Sequence, residues 1–252
     1  MKVFELYEKI SAHFPRELSC EWDNDGLMCC PDREKEVKKA LCVLDVTEEA
    51  VDYAIDGGFD LIVSHHPLIF HPVRSLDGGQ NPAKKLIKLL SAGISVFSFH
   101  TRADAATDGV NDRLAEIIGL KNTEPFGEGG MGRIGELDRE YTLTEFASLV
   151  KDKLSSPYVN YCGQNTVKRV ALLGGDGKDF VLSAKAAGAD TYLSGSISYN
   201  VLLDAPECGI NLLEAGHFHT ETHIKRAYAE LIRKYSPDTI VEEKDFNAIK
   251  SL

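Results

Sequence analysis

Residues 38–66, KKALCVLDVTEEAVDYAIDGGFDLIVSHH, place an amphipathic segment between two apolar runs. The first run, 38–46, predicts a strand, and the second run, 59–66, predicts another. Residues 47–58 predict a helix, because Thr47 suits an N-cap, two glutamates follow it and two glycines end the segment.

The same alternation continues along the chain. Residues 81–93 predict a helix, and residues 94–101 predict a further strand. A βαβαβ order implies mostly parallel strands covered by helices, so the sequence predicts an α/β fold. Ligands of such sheets gather at the carboxyl ends of the strands. His65 and His66 lie at one predicted strand end, and His100 lies at another.

The chain also contains an internal sequence repeat. One ungapped offset aligns 38–66 with 168–196. The aligned identities include Val51 with Val181, Ala54 with Ala184, Gly58 with Gly188, Asp60 with Asp190 and Ser64 with Ser194. We therefore expect two related α/β halves, 1–125 and 126–252, joined by the glycine-rich segment 125–137. The C-terminal part of the second half is expected to pack back on the first.

Three polar segments follow predicted strands. Their ionisable residues are His65 and His66, then His100, Asp104 and Asp108, and finally His217, His219, Glu221 and His223. Of the eight histidines, His71 lies close after the first segment, and only His13 lies away from all three. Imidazoles and carboxylates without cysteine predict a nitrogen/oxygen metal site at the strand ends, and several carboxylates suit two ions. The alternative for the histidine pair is a structural one, in which each ring satisfies buried backbone groups.

Composition excludes some classes of protein. The formal charge is −11, so the chain lacks the basic surface that nucleic-acid binding requires, and no nucleic-acid partner is expected. No apolar run approaches the ~20 residues of a membrane span. The N-terminal segment carries acidic residues within its apolar pattern and does not predict a signal peptide. The six cysteines form no C-x-x-C pair, which predicts reduced thiols and a cytoplasmic location.

The sequence resembles the Nif-three-like family, whose members are often named GTP cyclohydrolase I type 2 homologues. The resemblance runs through the whole chain in order, in the segments EWDNDGLMCC, LDVTEEAVDYAI, DLIVSHHPLIF, HTRADAATDGVNDRLAE, GRIGEL, GADTYLSG and GHFHTE. It implies a two-domain α/β subunit, a dinuclear metal centre and a toroidal homohexamer with the metals facing an internal cavity.

The resemblance also implies a ligand set, namely His65, His66, Asp104, His217 and Glu221. His100 is then expected beside the metals as a supporting residue. Either Glu221 or Asp104 is expected to bridge the two ions, and Glu221 is also the candidate catalytic base. His219 and His223 are expected outside the ligand set, and Asp108 is expected in a turn.

The sequence departs from the family pattern in several places. Arg102-Ala103 stand where members often have Asn-Leu, and Ser196 and Asn200 stand where many have Asp and His. These departures leave the implied ligands intact but change groups expected around them.

Two further segments have alternative interpretations. Gly174–Gly177 predicts either a phosphate-binding turn or a simple βα turn. Trp22 is expected in the core or at an interface, and Asp23-Asn24 is expected to form a turn. The alternative is that these residues line the cavity.

Two functions fit this sequence. The first is a hydrolase in which two divalent ions, Zn, Fe or Mn, activate water for attack on a nucleotide or another phosphorylated small molecule. The second is a non-catalytic metal-binding scaffold, metal chaperone or regulatory protein. In either case we expect a homo-oligomer, with no membrane partner.

Overall fold

A computed structural model describes residues 1–164, 166–247 and 249 of the chain. The helices are Val3–His13 (α1), Glu48–Asp56 (α2), Ala83–Ala92 (α3), Thr101–Ala105 (α4), Val110–Ile118 (α5), Leu143–Leu154 (α6), Val181–Ala186 (α7), Tyr199–Glu207 (α8), His217–Glu221 (α9) and Ile224–Tyr235 (α10). The strands are Gly26–Cys29 (β1), Lys39–Val43 (β2), Leu61–Ser64 (β3), Ser95–Ser98 (β4), Lys121–Phe126 (β5), Gly132–Tyr141 (β6), Asn160–Cys162 (β7), Val167–Asp176 (β8), Thr191–Ser196 (β9), Asn211–Glu214 (β10) and Ile240–Glu243 (β11).

The chain forms two compact units. One contains Met1–Ala103 together with 224–247, and the other contains Asp104–His223. The division at Ala103 falls earlier than the boundary at 125/126 expected from the sequence. The glycine-rich segment 125–137 lies inside the second unit, because β5 and β6 pair there as an antiparallel hairpin.

The sheet of the first unit has the strand order β1-β4-β3-β2-β11. Its four strands from β4 to β11 are parallel, and β1 is antiparallel to β4 at the edge. The predicted helix over 47–58 is α2, and the Thr47 hydroxyl accepts a hydrogen bond from the backbone N–H of Ala50 at 3.1 Å. The α/β class, with two sheets covered by helices, is confirmed.

The sheet of the second unit has the order β5-β6-β8-β9-β10-β7. Only β8, β9 and β10 run parallel, and the other pairs are antiparallel. The expectation of a mostly parallel sheet therefore holds only for the centre of this one. The reason lies in the connections. β5 and β6 form a hairpin, whereas α7 joins β8 to β9 and α8 joins β9 to β10 as the crossovers that parallel strands require.

The sequence repeat has a counterpart in hydrogen bonds within each unit. In the first unit the Asp60 carboxylate accepts from the backbone N–H of Lys38 and of Lys39, at 2.9 and 3.1 Å. In the second unit Asp190 accepts from the N–H of Lys168 and of Arg169, at 3.0 and 2.7 Å. Each aspartate begins the second strand of a βαβ unit and ties it to the start of the first, which gives a physical reason for the aligned aspartates.

A buried ion pair holds the end of β4 in the first unit. Arg102 and Asp25 have fully buried side chains, and Arg102 Nε donates to Asp25 Oδ2 at 3.0 Å. Arg102 Nη1 also donates to the carbonyl of Phe14 at 3.1 Å and to the Ser11 hydroxyl at 3.0 Å. The same Asp25 oxygen accepts from the backbone N–H of His100 at 3.1 Å. Arg102 is therefore a core residue of this unit.

Among the described residues, no helix combines the length and the apolar character of a membrane span.

We predict that Arg102→Leu lowers the free energy of unfolding by about 3 kcal/mol, because it leaves a buried carboxylate without its buried partner. Arg226→Leu is the matched control. Its ion pair with Glu230 lies on an exposed helix surface, so its loss changes stability by less than about 1 kcal/mol. Urea unfolding of the three proteins measures both values. Equal effects of the two substitutions would contradict the importance assigned to the buried pair.

Candidate metal centre

Three strand ends meet at one edge of the first sheet. Val43 of β2 lies beside Ser64 of β3, and Ser64 lies beside Ser98 of β4. The hydroxyl oxygens of Ser64 and Ser98 are 2.8 Å apart, so the two strands end in step. Residues that follow each strand therefore emerge side by side.

The imidazole cluster, defined as His65, His66 and His100, lies at this edge. One ring nitrogen from each of the three residues lies within 4.8 Å of the others. The ring centroids are 5.1 to 5.6 Å apart. The sequence-based expectation that these strand ends bring histidines together is met within this unit, and His100 stands as close to the pair as the pair's members stand to each other.

The orientation of His65 is set by a backbone carbonyl. His65 is fully buried, and its Nδ1 lies 2.9 Å from the carbonyl oxygen of Phe99. A carbonyl can only accept, so Nδ1 carries the proton and Nε2 carries the lone pair. The Tyr228 hydroxyl donates to the same carbonyl at 2.7 Å and fixes its position. Tyr228 lies on α10 and was not identified from the sequence.

A carboxylate sets the orientation of His66 in the same way. Its Nδ1 lies 2.7 Å from Asp45 Oδ1, in the loop that follows β2. An aspartate at neutral pH only accepts, so Nδ1 again carries the proton. A carboxylate on the far nitrogen of a metal-binding histidine is a common supporting contact, since it fixes the tautomer and raises ligand basicity. Asp45 was not among the residues expected at the site, although its position just after a predicted strand was an available signal.

The orientation of His100 is likewise set by a hydrogen-bond acceptor, the carboxylate of Asp23. Its Nδ1 lies 2.9 Å from Oδ1 of Asp23, whose side chain is fully buried. Burial alone would raise the pKa of Asp23, but hydrogen bonds from His100 and Thr101 outweigh it and lower the pKa to about 2. The other Asp23 oxygen accepts from the Thr101 hydroxyl and N–H, at 2.7 and 3.1 Å. Asp23 therefore orients His100, a more specific role than the expected turn.

The second unit places His217 and Glu221 together on α9. The spacing of four residues predicted that they would share a helix face, and His217 Nε2 lies 3.0 Å from Glu221 Oε2. The Glu221 side chain is only 5% exposed, while that of His217 is 42% exposed. This pair offers one buried carboxylate and one accessible imidazole as potential metal ligands.

Glycines make room for α9 at the end of the second sheet. A Cβ on Gly175, whose φ is +68°, would lie 2.1 Å from Glu221 Oε1. A Cβ on Gly195 would lie 2.4 Å from Thr220 Oγ1 and 2.7 Å from the Gly175 carbonyl oxygen. The Gly175 N–H donates to the Thr220 hydroxyl at 3.1 Å. The segment Gly174–Gly177 thus seats the helix that carries Glu221, a role that its glycine content alone did not reveal.

The remaining predicted residues have diverse surroundings. Asp104 is buried in α4, 7% exposed, and its backbone carbonyl accepts from Asn111. His223 Nε2 lies 2.8 Å from the carbonyl of Val110, which is a structural contact with the first turn of α5. Asp108 has φ +58° in the turn before α5, as expected. Two of the departures from the family pattern lie on the second unit. Ser196 ends β9 and is half-buried, and Asn200 is exposed on α8.

The donors suit a divalent metal ion. All three imidazoles of the cluster engage an acceptor through Nδ1, so the neutral form of each ring carries its lone pair on Nε2. Within the second unit, Glu221 is a buried carboxylate and His217 is an accessible imidazole. Nitrogen and oxygen donors of this kind accept zinc, iron or manganese. The structure thus contains histidine and carboxylate groups able to hold a metal.

Fold and side chains define a two-unit α/β protein with a candidate metal centre at its strand ends. The family model described as Duf34/NIF3 (NGG1p interacting factor 3) matches residues 1–248, so the chain belongs to this family. A Clostridium perfringens protein named GTP cyclohydrolase 1 type 2 homolog is 34% identical over 242 residues, covering 93% of this chain and 92% of that protein. The protein of the same name from Clostridium acetobutylicum is 35% identical, covering 88% and 85%.

Solved structures agree with this assignment. The hypothetical protein SA1388 of Staphylococcus aureus has a TM-score of 0.91 and 28% identity, covering 100% of this chain and 99% of that one. Reduced HcgD from Methanocaldococcus jannaschii has a TM-score of 0.85 and 30% identity, covering 98% of each chain. The expected resemblance to the Nif-three-like family is confirmed.

We predict that Gly175→Ala lowers the free energy of unfolding by about 2 kcal/mol more than Gly188→Ala. Both glycines have positive φ, but only the Gly175 Cβ would collide with Glu221, since a Gly188 Cβ would lie 3.9 Å from its nearest neighbour, Arg169 Nε. The control therefore carries the backbone cost, about 1–2 kcal/mol, without the collision. Chemical denaturation measures the difference. Equal losses would show that Gly175 does not make room for the Glu221 carboxylate.

Proposed function

We propose that this protein is a dinuclear metal-dependent hydrolase. The observation that supports this most strongly is the imidazole cluster, in which three histidines hold their protons on Nδ1 against three separate acceptors. A histidine with a purely structural role needs only hydrogen-bond partners for its ring nitrogens. Three neutral rings that all point the Nε2 lone pair away from an engaged Nδ1, at one edge of a sheet, suit a cation.

We assign the metal ligands to His65, His66, Asp104, His217 and Glu221, following the family resemblance. The two ions, Zn, Fe or Mn, would supply Lewis-acid activation of water near neutral pH and stabilise developing negative charge. Within the protein, Asp45 and Phe99 hold the imidazoles in one tautomer. The Glu221 and Asp104 carboxylates would offset the positive charge of the ions, and either of them is a candidate to be shared between the two. Glu221 is also the candidate to accept a proton during reaction.

The proposed substrate class is a nucleotide or another phosphorylated small molecule. The relatives' name, GTP cyclohydrolase 1 type 2 homolog, supports a nucleotide. The reaction would be a hydrolysis. The water oxygen would bond to the ring carbon or to the phosphorus, the ring carbon–nitrogen or phosphorus–oxygen bond would break, and a proton of the water would pass to the departing nitrogen or oxygen. His100 would lie beside the reacting groups through its place in the cluster. The chain's charge of −11 favours a substrate held at local donors over one held by a broad basic surface.

We predict that His66→Ala and Glu221→Gln each lower bound metal below two ions per subunit. The first removes an imidazole donor, and the second preserves shape while removing the charge that offsets two cations. Because metal bound to the folded state stabilises it, both variants should melt below wild type in metal-replete buffer and close to wild type in chelator. Elemental analysis and calorimetry measure these properties.

His219→Ala is the matched control, since His219 lies on the same short helix but outside the ligand set. It should retain both ions and the wild-type melting temperature in either buffer. Two ions per subunit at wild-type affinity in His66→Ala or Glu221→Gln would show that the ligand assignment is wrong.

Turnover separates catalysis from metal storage. Aerobic and anaerobic assays of the Zn-, Fe- and Mn-loaded protein should show metal-dependent hydrolysis of GTP or of a generic phosphoester, abolished in Glu221→Gln. Tight metal binding with no turnover of either substrate would contradict the hydrolase and favour a metal-binding scaffold.

The resemblance also leads us to propose a homohexamer. Sedimentation analysis should then report about six times the 27.7 kDa chain mass, and a monomer at micromolar concentration would contradict this proposal.

A further inference from the structure

Two exposed aromatic side chains stand beside the imidazole cluster. Trp22 is 64% exposed and Phe70 is 43% exposed. Their ring centroids are 6.1 Å apart, and each ring lies about one ring width from His100, at 6.2 and 6.3 Å. We call Trp22 and Phe70 the aromatic platform. Trp22 was expected in the core or at an interface; its exposure excludes the core, and the interface stays a prediction.

The loops that carry the platform are held in place by the residues next to it. Asn24, two residues after Trp22, donates from its side-chain amide to the carbonyl of Ile69, next to Phe70, at 2.5 Å. Asp23, adjacent to Trp22, is anchored to His100 and Thr101. The same contacts that orient His100 therefore also fix the position of the platform relative to it.

The geometry of the platform suits a flat ring. Trp22 meets Phe70 at an interplanar angle of 64° and His100 at 76°, so edges face each other and aromatic surface remains open to solvent. Exposed aromatic surface at this density is typical of ligand or partner sites. Two side chains present far less than the roughly 800 Å² per partner of a stable protein interface, whereas they match the face of one heterocycle.

We propose that the aromatic platform stacks the planar nitrogen heterocycle of the substrate, a purine-like base, and sets the specificity of the site for that ring. This inference rests on the proposed function, since it places the ring of the substrate next to the imidazoles that would hold the metals. Stacking on Trp22 or Phe70 brings the polar edge of the heterocycle to His100, one ring width away. Base stacking on aromatic side chains tolerates different bases, so the platform selects for a ring and leaves its identity to the polar groups nearby.

The chain offers a direct reporter, because Trp22 is its only tryptophan. Intrinsic fluorescence of the metal-free and the metal-loaded protein is titrated with guanosine 5′-monophosphate and, separately, with ribose 5-phosphate, which lacks the base. We expect saturable quenching by the nucleotide and none by the sugar phosphate. Phe70→Leu should retain the tryptophan signal and weaken nucleotide binding by roughly 5- to 100-fold.

Two further variants complete the test. Tyr199→Leu removes a 76% exposed aromatic side chain of the other unit and should bind the nucleotide as wild type does. Trp22→Leu should weaken nucleotide binding to a similar extent as Phe70→Leu. Because this variant lacks the tryptophan, its nucleotide binding is measured by calorimetry. Both platform residues are exposed, so the variants should fold, which the melting temperature checks.

The outcomes separate this inference from the proposed function. Base-dependent quenching that Phe70→Leu weakens supports the platform, even if no substrate is turned over. Equal quenching by the sugar phosphate, unchanged affinity in Phe70→Leu, or no quenching in metal-loaded and active protein would each overturn it. A change in sedimentation of Trp22→Leu relative to wild type would identify the platform as a subunit interface and overturn it as well.

Discussion

The parallel register of β2, β3 and β4 is the constraint on which the rest of the first unit depends. Val43, Ser64 and Ser98 lie abreast, and the paired serine hydroxyls keep the two histidine-bearing strands in step. A shift of β3 by one residue would turn every side chain to the opposite face and separate His65 from the Phe99 carbonyl. Because the strands end together, residues far apart in sequence, such as His66 and His100, join one cluster.

Two buried aspartates, Asp23 and Asp25, position His100 at the carboxyl end of β4. Asp25 is neutralised by buried Arg102 and partly exposed Arg16, and it fixes the backbone at His100. Asp23, two residues earlier, orients the His100 ring instead. Neighbouring aspartates therefore have separate tasks, one structural and one directed at an imidazole. Arg102, a departure from the family pattern, belongs to the structural part and leaves the proposed ligands unchanged.

Much of this arrangement could be predicted from the sequence. Apolar runs, the Thr47 cap and the glycine stops define β2, α2 and β3, because local pattern and tertiary structure agree there. The gathering of His65, His66 and His100 follows from the general rule that parallel strands end at one edge. The aligned aspartates of the repeat also proved to make equivalent hydrogen bonds in both units.

The partners of the histidines could not be read in the same way. The roles of Tyr228 and Asp23 depend on which side chain reaches which ring, and neither lies near its partner in sequence. The antiparallel strands of the second sheet and the space that Gly175 leaves for Glu221 depend on tertiary packing, which local pattern does not encode.

The central claim is that the imidazoles present Nε2 to a metal because Nδ1 is already engaged. Anomalous diffraction from crystals of the Zn-loaded protein, recorded at the zinc absorption edge, tests this most directly. We expect two zinc peaks per subunit, with the Nε2 atoms of His65 and His66, a ring nitrogen of His217 and the carboxylates of Asp104 and Glu221 at bonding distance. Absence of a zinc peak at His65 and His66, or coordination through Nδ1 with Asp45 and the Phe99 carbonyl displaced, would contradict it.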